Sequence, residues 1–154
     1  MSFYQASPIS FESVSNVTAT NSVELGTRRI EAGEEYVYCY NAGNSVAQKG
    51  NLMIQSGGVS ANSLTISSTD ALDIPMVGVK HATAATGTYF WGLVRGQMRV
   101  TSLAVTAGDL LTTGADGVCA TFITATLPTG VCIGRAIDTC TASTQPLAHL
   151  RLWG

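Results

Sequence analysis

Glycine or proline interrupts this chain too often for a long helix, and the stretches between them are short and alternate in polarity. A helix loses about 1 kcal/mol at each interior glycine and about 3 at each proline. Few segments place apolar residues at i, i+3, i+4 and i+7. Strand-like runs, in contrast, recur along the whole chain. From Glu35 to Tyr40, Tyr36, Tyr38 and Tyr40 fall on one face and Val37 and Cys39 on the other. The segment Asn41-Ala42-Gly43-Asn44 then supplies a turn. Further strands are expected at 52–55, 63–67, 74–81, 88–95, 97–101, 110–112, 118–124, 131–138 and 147–153. Short strands at this spacing predict an all-β fold built as a small barrel or sandwich. At 154 residues the chain is one domain. Residues 1–25 differ from the rest, being polar with isolated Phe3, Tyr4, Ile9 and Phe11, and they read as an extended N-terminal arm. Residues 26–154 form the body.

The body carries an internal repeat. Ala47-Gln48-Lys49-Gly50-Asn51-Leu52-Met53 resembles the later stretch from Ala104 to Leu111, in which Gly108-Asp109 again ends a turn and leads into apolar residues. Downstream, Gly78 and Gly134 are each followed 17 positions later by an arginine, Arg95 and Arg151. Gly50 and Gly108 lie 58 apart, and Gly78 and Gly134 lie 56 apart. Two related β units are therefore expected, at about 46–95 and 104–151, joined by a linker from Gly96 to Leu103.

Charge narrows the function. Only 12% of residues are charged and the net charge is −2, so the clustered lysines and arginines of a nucleic-acid module are missing. No run of eighteen mostly apolar residues exists, and the start has neither a basic segment nor an apolar signal core, so no membrane partner and synthesis in a host cytoplasm are expected. Cys39, Cys119, Cys132 and Cys140 have no Cys-x-x-Cys or Cys/His ligand spacing and are expected as small buried hydrophobes, with no metal and no cofactor. His81 and His149 are far apart in apolar contexts, and Ser143 lacks a nucleophile elbow, so no enzyme is expected. Binding candidates remain. Tyr36, Tyr38 and Tyr40, with Trp91 in Tyr89-Phe90-Trp91, suit stacking on sugars or anchoring a protein interface. Arg28, Arg29 and Arg95 suit bidentate pairing with carboxylates on a partner.

Val77-Gly78-Val79, the Tyr89–Gly96 run, Val105 to Leu111 with Gly114 to Gly117, the Gly130–Ala136 run and the final Leu150-Arg151-Leu152 together resemble the capsid decoration (cement) proteins of tailed phages. The resemblance covers about 75–154 well and 30–55 loosely. It implies a small β-barrel or β-clip-like protein on the outer surface of an assembled shell, where it stabilises the shell by bridging major capsid protein subunits. It also implies a homo-oligomer, a homotrimer ahead of a homodimer, and brings no catalytic residues. The arm (Phe3, Tyr4, Ile9, Phe11) and the low charge agree with it, because uncharged hydroxyl-rich surface can be buried at interfaces without stranding charges. The rival expectation is a host-facing carbohydrate-binding or spike/fibre subunit using the tyrosine and tryptophan faces.

Overall fold

The computed structural model describes residues 13–55, 63–66, 75–122, 132–141 and 144–152. Among them the fold is all-β. In chain order the strands are β1 (Val17–Thr18), β2 (Arg28–Glu31), β3 (Glu34–Asn41), β4 (Leu52–Gln55), β5 (Ser63–Ile66), β6 (Val77–Gly78), β7 (Tyr89–Arg99), β8 (Leu110–Thr113), β9 (Cys119–Thr121), β10 (Gly134–Ala136) and β11 (Leu147–Arg151). One 3-10 turn, Ala115–Gly117, separates β8 from β9.

The pairings trace two similar circuits. In the first, β3 runs parallel to β5, β5 pairs β4, β4 pairs β6, β6 pairs β7, and β7 returns antiparallel to β3. In the second, β7 pairs β11, β11 pairs β10, β10 pairs β8, and β8 pairs β9. A single parallel bridge, Ser102 to Cys119, joins β9 back to the chain just beyond β7. The expected barrel is therefore not one closed wall. The main sheet path is open, running from β2 to β9, because the second circuit is linked by one bridge only.

The two circuits use the same local chemistry. Gly50 and Gly108 both adopt positive φ, +95° and +94°. Asn51 Oδ1 accepts from the Gln48 N–H at 2.7 Å, and Asp109 Oδ2 accepts from the Thr106 N–H at 2.8 Å. Gly50 N–H donates to Val79 O, and Gly108 N–H donates to Ala136 O. The bridge Ala47↔Ala84 has its counterpart in Val105↔Cys140. Register shows that Gly78 and Gly134 are not equivalent. Leu52 faces Gly78 while Leu110 faces Arg135, so Gly134 matches Val77 and the offset there is 57 rather than 56.

Two further expectations change. Gly96 to Leu103 is no linker, because β7 continues through Gly96 to Arg99 and serves both circuits. Nor is the N-terminal segment wholly an arm. From Ser13 onward it lies on the body: Val14 is buried in the core, Val17 and Thr18 pair with Phe90 and Tyr89, and Val23 and Leu25 pack against the core. Phe3, Tyr4, Ile9 and Phe11 lie outside the described residues.

Packing explains why β3 is apolar on both faces. Tyr36 and Tyr38 enter a large cluster with Leu52, Leu93, Leu111 and Leu150, while Val37 and Cys39 enter a second with Met53, Val77 and Phe90. Burial of such side chains contributes about 1.5–3 kcal/mol each for the larger aliphatics. The larger cluster draws on both circuits. Three cysteines are buried as expected, Cys39, Cys119 and Cys140, but Cys132 is exposed. Burial raises the Cys39 thiol far above its ordinary pKa and pushes Cys119 up to about 12, so both stay protonated packing groups.

Candidate functional site

The aromatic candidates are inside. Tyr36, Tyr38 and Trp91 are 2%, 1% and 5% exposed, which withdraws them as a partner-facing stripe. Their rings pack on one another and on neighbours. Tyr38 and Trp91 lie 5.1 Å apart between centroids, and Tyr40 and Tyr89 lie 4.9 Å apart. The Tyr38 hydroxyl is 3.0 Å from the Ser22 hydroxyl and 3.4 Å from that of Thr18, so residues of the N-terminal segment cap it. Tyr40 is half-buried. The signal was in the sequence: Tyr36 to Tyr40 is an unbroken apolar run with no polar alternation, which is how a strand covered on both faces reads.

Tyr36 instead anchors a polar knot. Its hydroxyl donates to Glu34 Oε2 at 2.6 Å and lies 2.9 Å from His81 Nε2. With its one proton committed to Glu34, the hydroxyl accepts from His81, which fixes the Nε2–H tautomer. Glu34 also pairs with Lys80 and accepts from the Gln97 N–H at 2.9 Å. Burial pushes the Glu34 carboxyl up, but the contacts from Lys80, Tyr36 and Gln97 outweigh it, and the net pKa is below the ordinary value. Burial lowers the His81 pKa, helped by Lys80 and Lys49 and opposed by Glu34 and Glu31. The Tyr36 hydroxyl is raised by burial and by the Glu34 carboxylate. These groups tie β3, the residues after β6 and β7 together. Every charge in the knot has an internal partner role, which is the economy of a structural network.

The second feature is an arginine-lined groove of about 760 Å³ on the outer face of β10, β11, β7 and β3. Register builds it. Arg151 on β11 sits directly opposite Arg95 on β7, which also faces Glu35 on β3, while Arg135 on β10 faces His149 on β11. Arg28 on β2 reaches Glu35 in an ion pair. Arg95, Arg135, His149 and Arg151 are exposed. The groove floor is aliphatic, with Val94, Ile133 and Leu152 buried beneath and Leu110 at its edge. Two of the arginine candidates, Arg28 and Arg95, are thus brought together. Arg29 lies apart, paired with Glu31 and with its guanidinium carbon 6.0 Å from the Trp91 ring centroid. Sequence reading missed Arg135, His149 and Arg151 as binding residues. The signal was the repeat itself, whose 56-residue spacing relates Arg95 to Arg151.

Among the described residues no group of three or more His, Cys, Asp or Glu side chains is placed to hold a metal ion. Nor does any described helix have the length and apolarity to cross a membrane.

Comparison with known proteins locates the fold. No family matches the chain, and no curated protein matches it. Among solved structures it is similar to the head fibre gp8.5 N base of bacteriophage phi29, with a TM-score of 0.55 and 19% identity over 75% of this chain and 93% of that one. At that identity the likeness shows a shared all-β fold.

Proposed function

We propose that the chain is a structural protein of a tailed-phage virion that binds the outer surface of the assembled head as a homo-oligomer and bridges major capsid protein subunits. The observation that carries the reading is the fold shared with a phage head fibre base across nearly all of that chain's length. The turn-and-strand resemblance to decoration proteins supports it independently. The mechanism needs no active site: a protein that binds only the assembled shell stabilises it by mass action, by roughly 3–4 kcal/mol per site at concentrations far above its dissociation constant. Repetition around an oligomer adds avidity, by roughly 10² to 10⁴ over one contact. A homotrimer is proposed ahead of a homodimer on the family resemblance.

The fold likeness also favours a second form of this reading, in which the chain is the base of a fibre rather than a shell-wide bridge. The sugar-stacking version of that rival loses Tyr36, Tyr38, Phe90 and Trp91 to the core and keeps only the half-buried Tyr40 and Tyr89. Copy number decides between lattice and fibre. Quantitative mass spectrometry of purified virions should count a shell-wide cement at a level comparable with the major capsid protein, and a fibre base at fewer copies. Absence from the virion overturns both. The arm's part in capsid binding is tested by removing residues 1–12 only, with at least a tenfold loss of capsid affinity expected. A cut at residue 20 would also remove Val14 and β1 and confuse binding with folding.

A further inference from the structure

We infer that the arginine groove is a binding site for an extended acidic segment of a different protein, one carrying carboxylates two residues apart. The inference stands on the groove alone and goes beyond the virion reading.

Charge distribution is the first argument. The chain is net −2, yet four of its eight lysines and arginines, Arg28, Arg95, Arg135 and Arg151, line this one groove. The ion pairs Arg28–Glu35, Arg29–Glu31, Lys80–Glu34 and Arg99–Asp138 leave Arg95, Arg135 and Arg151 without a carboxylate partner among the described residues. Arg95 and Arg151 are nevertheless direct cross-strand partners. Like charges facing each other on a ladder are destabilising. An anion between the two guanidinium groups reverses the sign of that interaction, and the planar fork of arginine suits a carboxylate in bidentate fashion.

Spacing is the second argument. The Arg95–Arg151 row and the Arg135–His149 row are two residues apart along β11. That separation is roughly 7 Å, the distance between alternate side chains on an extended strand. A peptide with acidic residues at i and i+2 therefore places one carboxylate on each row, and its intervening chain crosses the aliphatic floor.

The lining selects the class of ligand. Stacking on the broad faces of Phe, Tyr or Trp is how proteins hold sugar rings and single-stranded bases, and among the described residues the groove lining includes none of these, the His149 imidazole being its one aromatic ring. An aliphatic floor with an arginine rim fits a protein segment. The segment is not supplied by a second copy of this chain. The ten carboxylate side chains stand at 12, 24, 31, 34, 35, 70, 73, 109, 116 and 138, and no two are separated by two positions. The occupant is therefore another protein.

The test uses the full chain and a fluorescein-labelled peptide of extended-favouring sequence with glutamates at i and i+2. Fluorescence anisotropy should show binding that weakens with salt. Affinity should fall at least tenfold in the Arg95→Gln/Arg151→Gln double variant and stay unchanged in Lys49→Gln, which removes a charge outside the groove. The peptide should also raise the melting temperature of the unaltered protein, a readout that needs no variant. Moving the second glutamate to i+3 should weaken binding. Equal binding of the i+3 peptide, loss of affinity in Lys49→Gln equal to that in the double variant, or no binding at millimolar peptide overturns the inference. Tighter binding of heparin than of the peptide overturns it in favour of an acidic glycan.

Discussion

At the scale of single residues, the polar knot around Glu34 makes acid the natural stress for this protein. The His81 imidazole is held below its ordinary pKa of 6.5, first by burial and then by Lys80 and Lys49. The Glu34 carboxyl is held below its ordinary 4.5: burial alone would raise it, but its hydrogen bonds prevail. In both cases the unfolded chain binds more protons than the folded one as pH falls through the unfolded value, so stability rises with pH there. The His81 contribution is complete above about 6.5 and is lost as pH falls toward its folded pKa. The Glu34 contribution is complete above about 4.5 and is lost below. Thermal melts from pH 8 to 3.5 should therefore show a shallow decline beginning near 6.5 and a steeper one below 4.5. In His81→Gln, whose amide can still donate to Tyr36, the upper decline should disappear. A melting temperature that stays flat from pH 7.5 to 5.5 in the parent protein would contradict this account.

At the scale of elements, what sequence revealed and what it hid have distinct physical causes. The turns were legible because they are local: Gly50-Asn51 and Gly108-Asp109 each combine a positive φ with a side-chain acceptor that caps its own turn. Short apolar runs bounded by turns, such as β3 and β4, were legible for the same reason. β2 was not, since Arg28-Arg29-Ile30-Glu31 is charged and Ile30 is 78% exposed, and only pairing with β3 makes it a strand. The groove was hidden because Arg95, Arg135 and Arg151 meet only through register. Gly96 misled most. A glycine between two alternating runs reads as a break, but here it lets one strand bend. Its φ is +145°, and it lies where the β3–β7 register shifts near Glu35. A Cβ at Gly96 would sit 2.8 Å from Glu34 Cγ and 2.9 Å from Oε1. Gly96→Ala should cost about 2 kcal/mol from backbone strain and crowding, a fall of roughly 4–8 °C in melting temperature at this chain length. It should also weaken the Glu34 acid dependence, because the displaced carboxylate loses the Gln97 N–H. A melting temperature within one degree of the parent, with an unchanged acid limb, would show that β7 tolerates a side chain there.

At the scale of the whole molecule, sharing a strand makes the two circuits unequal. β7 is the last strand of the first and the first strand of the second, and both pack into one large cluster in which Tyr36 and Leu52 meet Leu111, Ile133 and Leu150. The first circuit holds β3 to β7 in one continuous stretch of chain, so residues 1–103 contain all of its ladders. Residues 104–154 contain β8 to β11 but neither β7 nor the Ser102 bridge, leaving both ends of their ladder unpaired. A few strands without a covered apolar face do not hold together in water. The fragment 104–154 should therefore give the circular dichroism of an unfolded chain. The fragment 1–103 should keep a strand signal but melt earlier than the full chain, since half of its shared cluster is gone. The full chain should unfold in one transition, with secondary-structure and tryptophan signals coincident. Two separated transitions, or a cooperative melt of 104–154 alone, would mean that each circuit is a domain in its own right and that β7 joins them without coupling them.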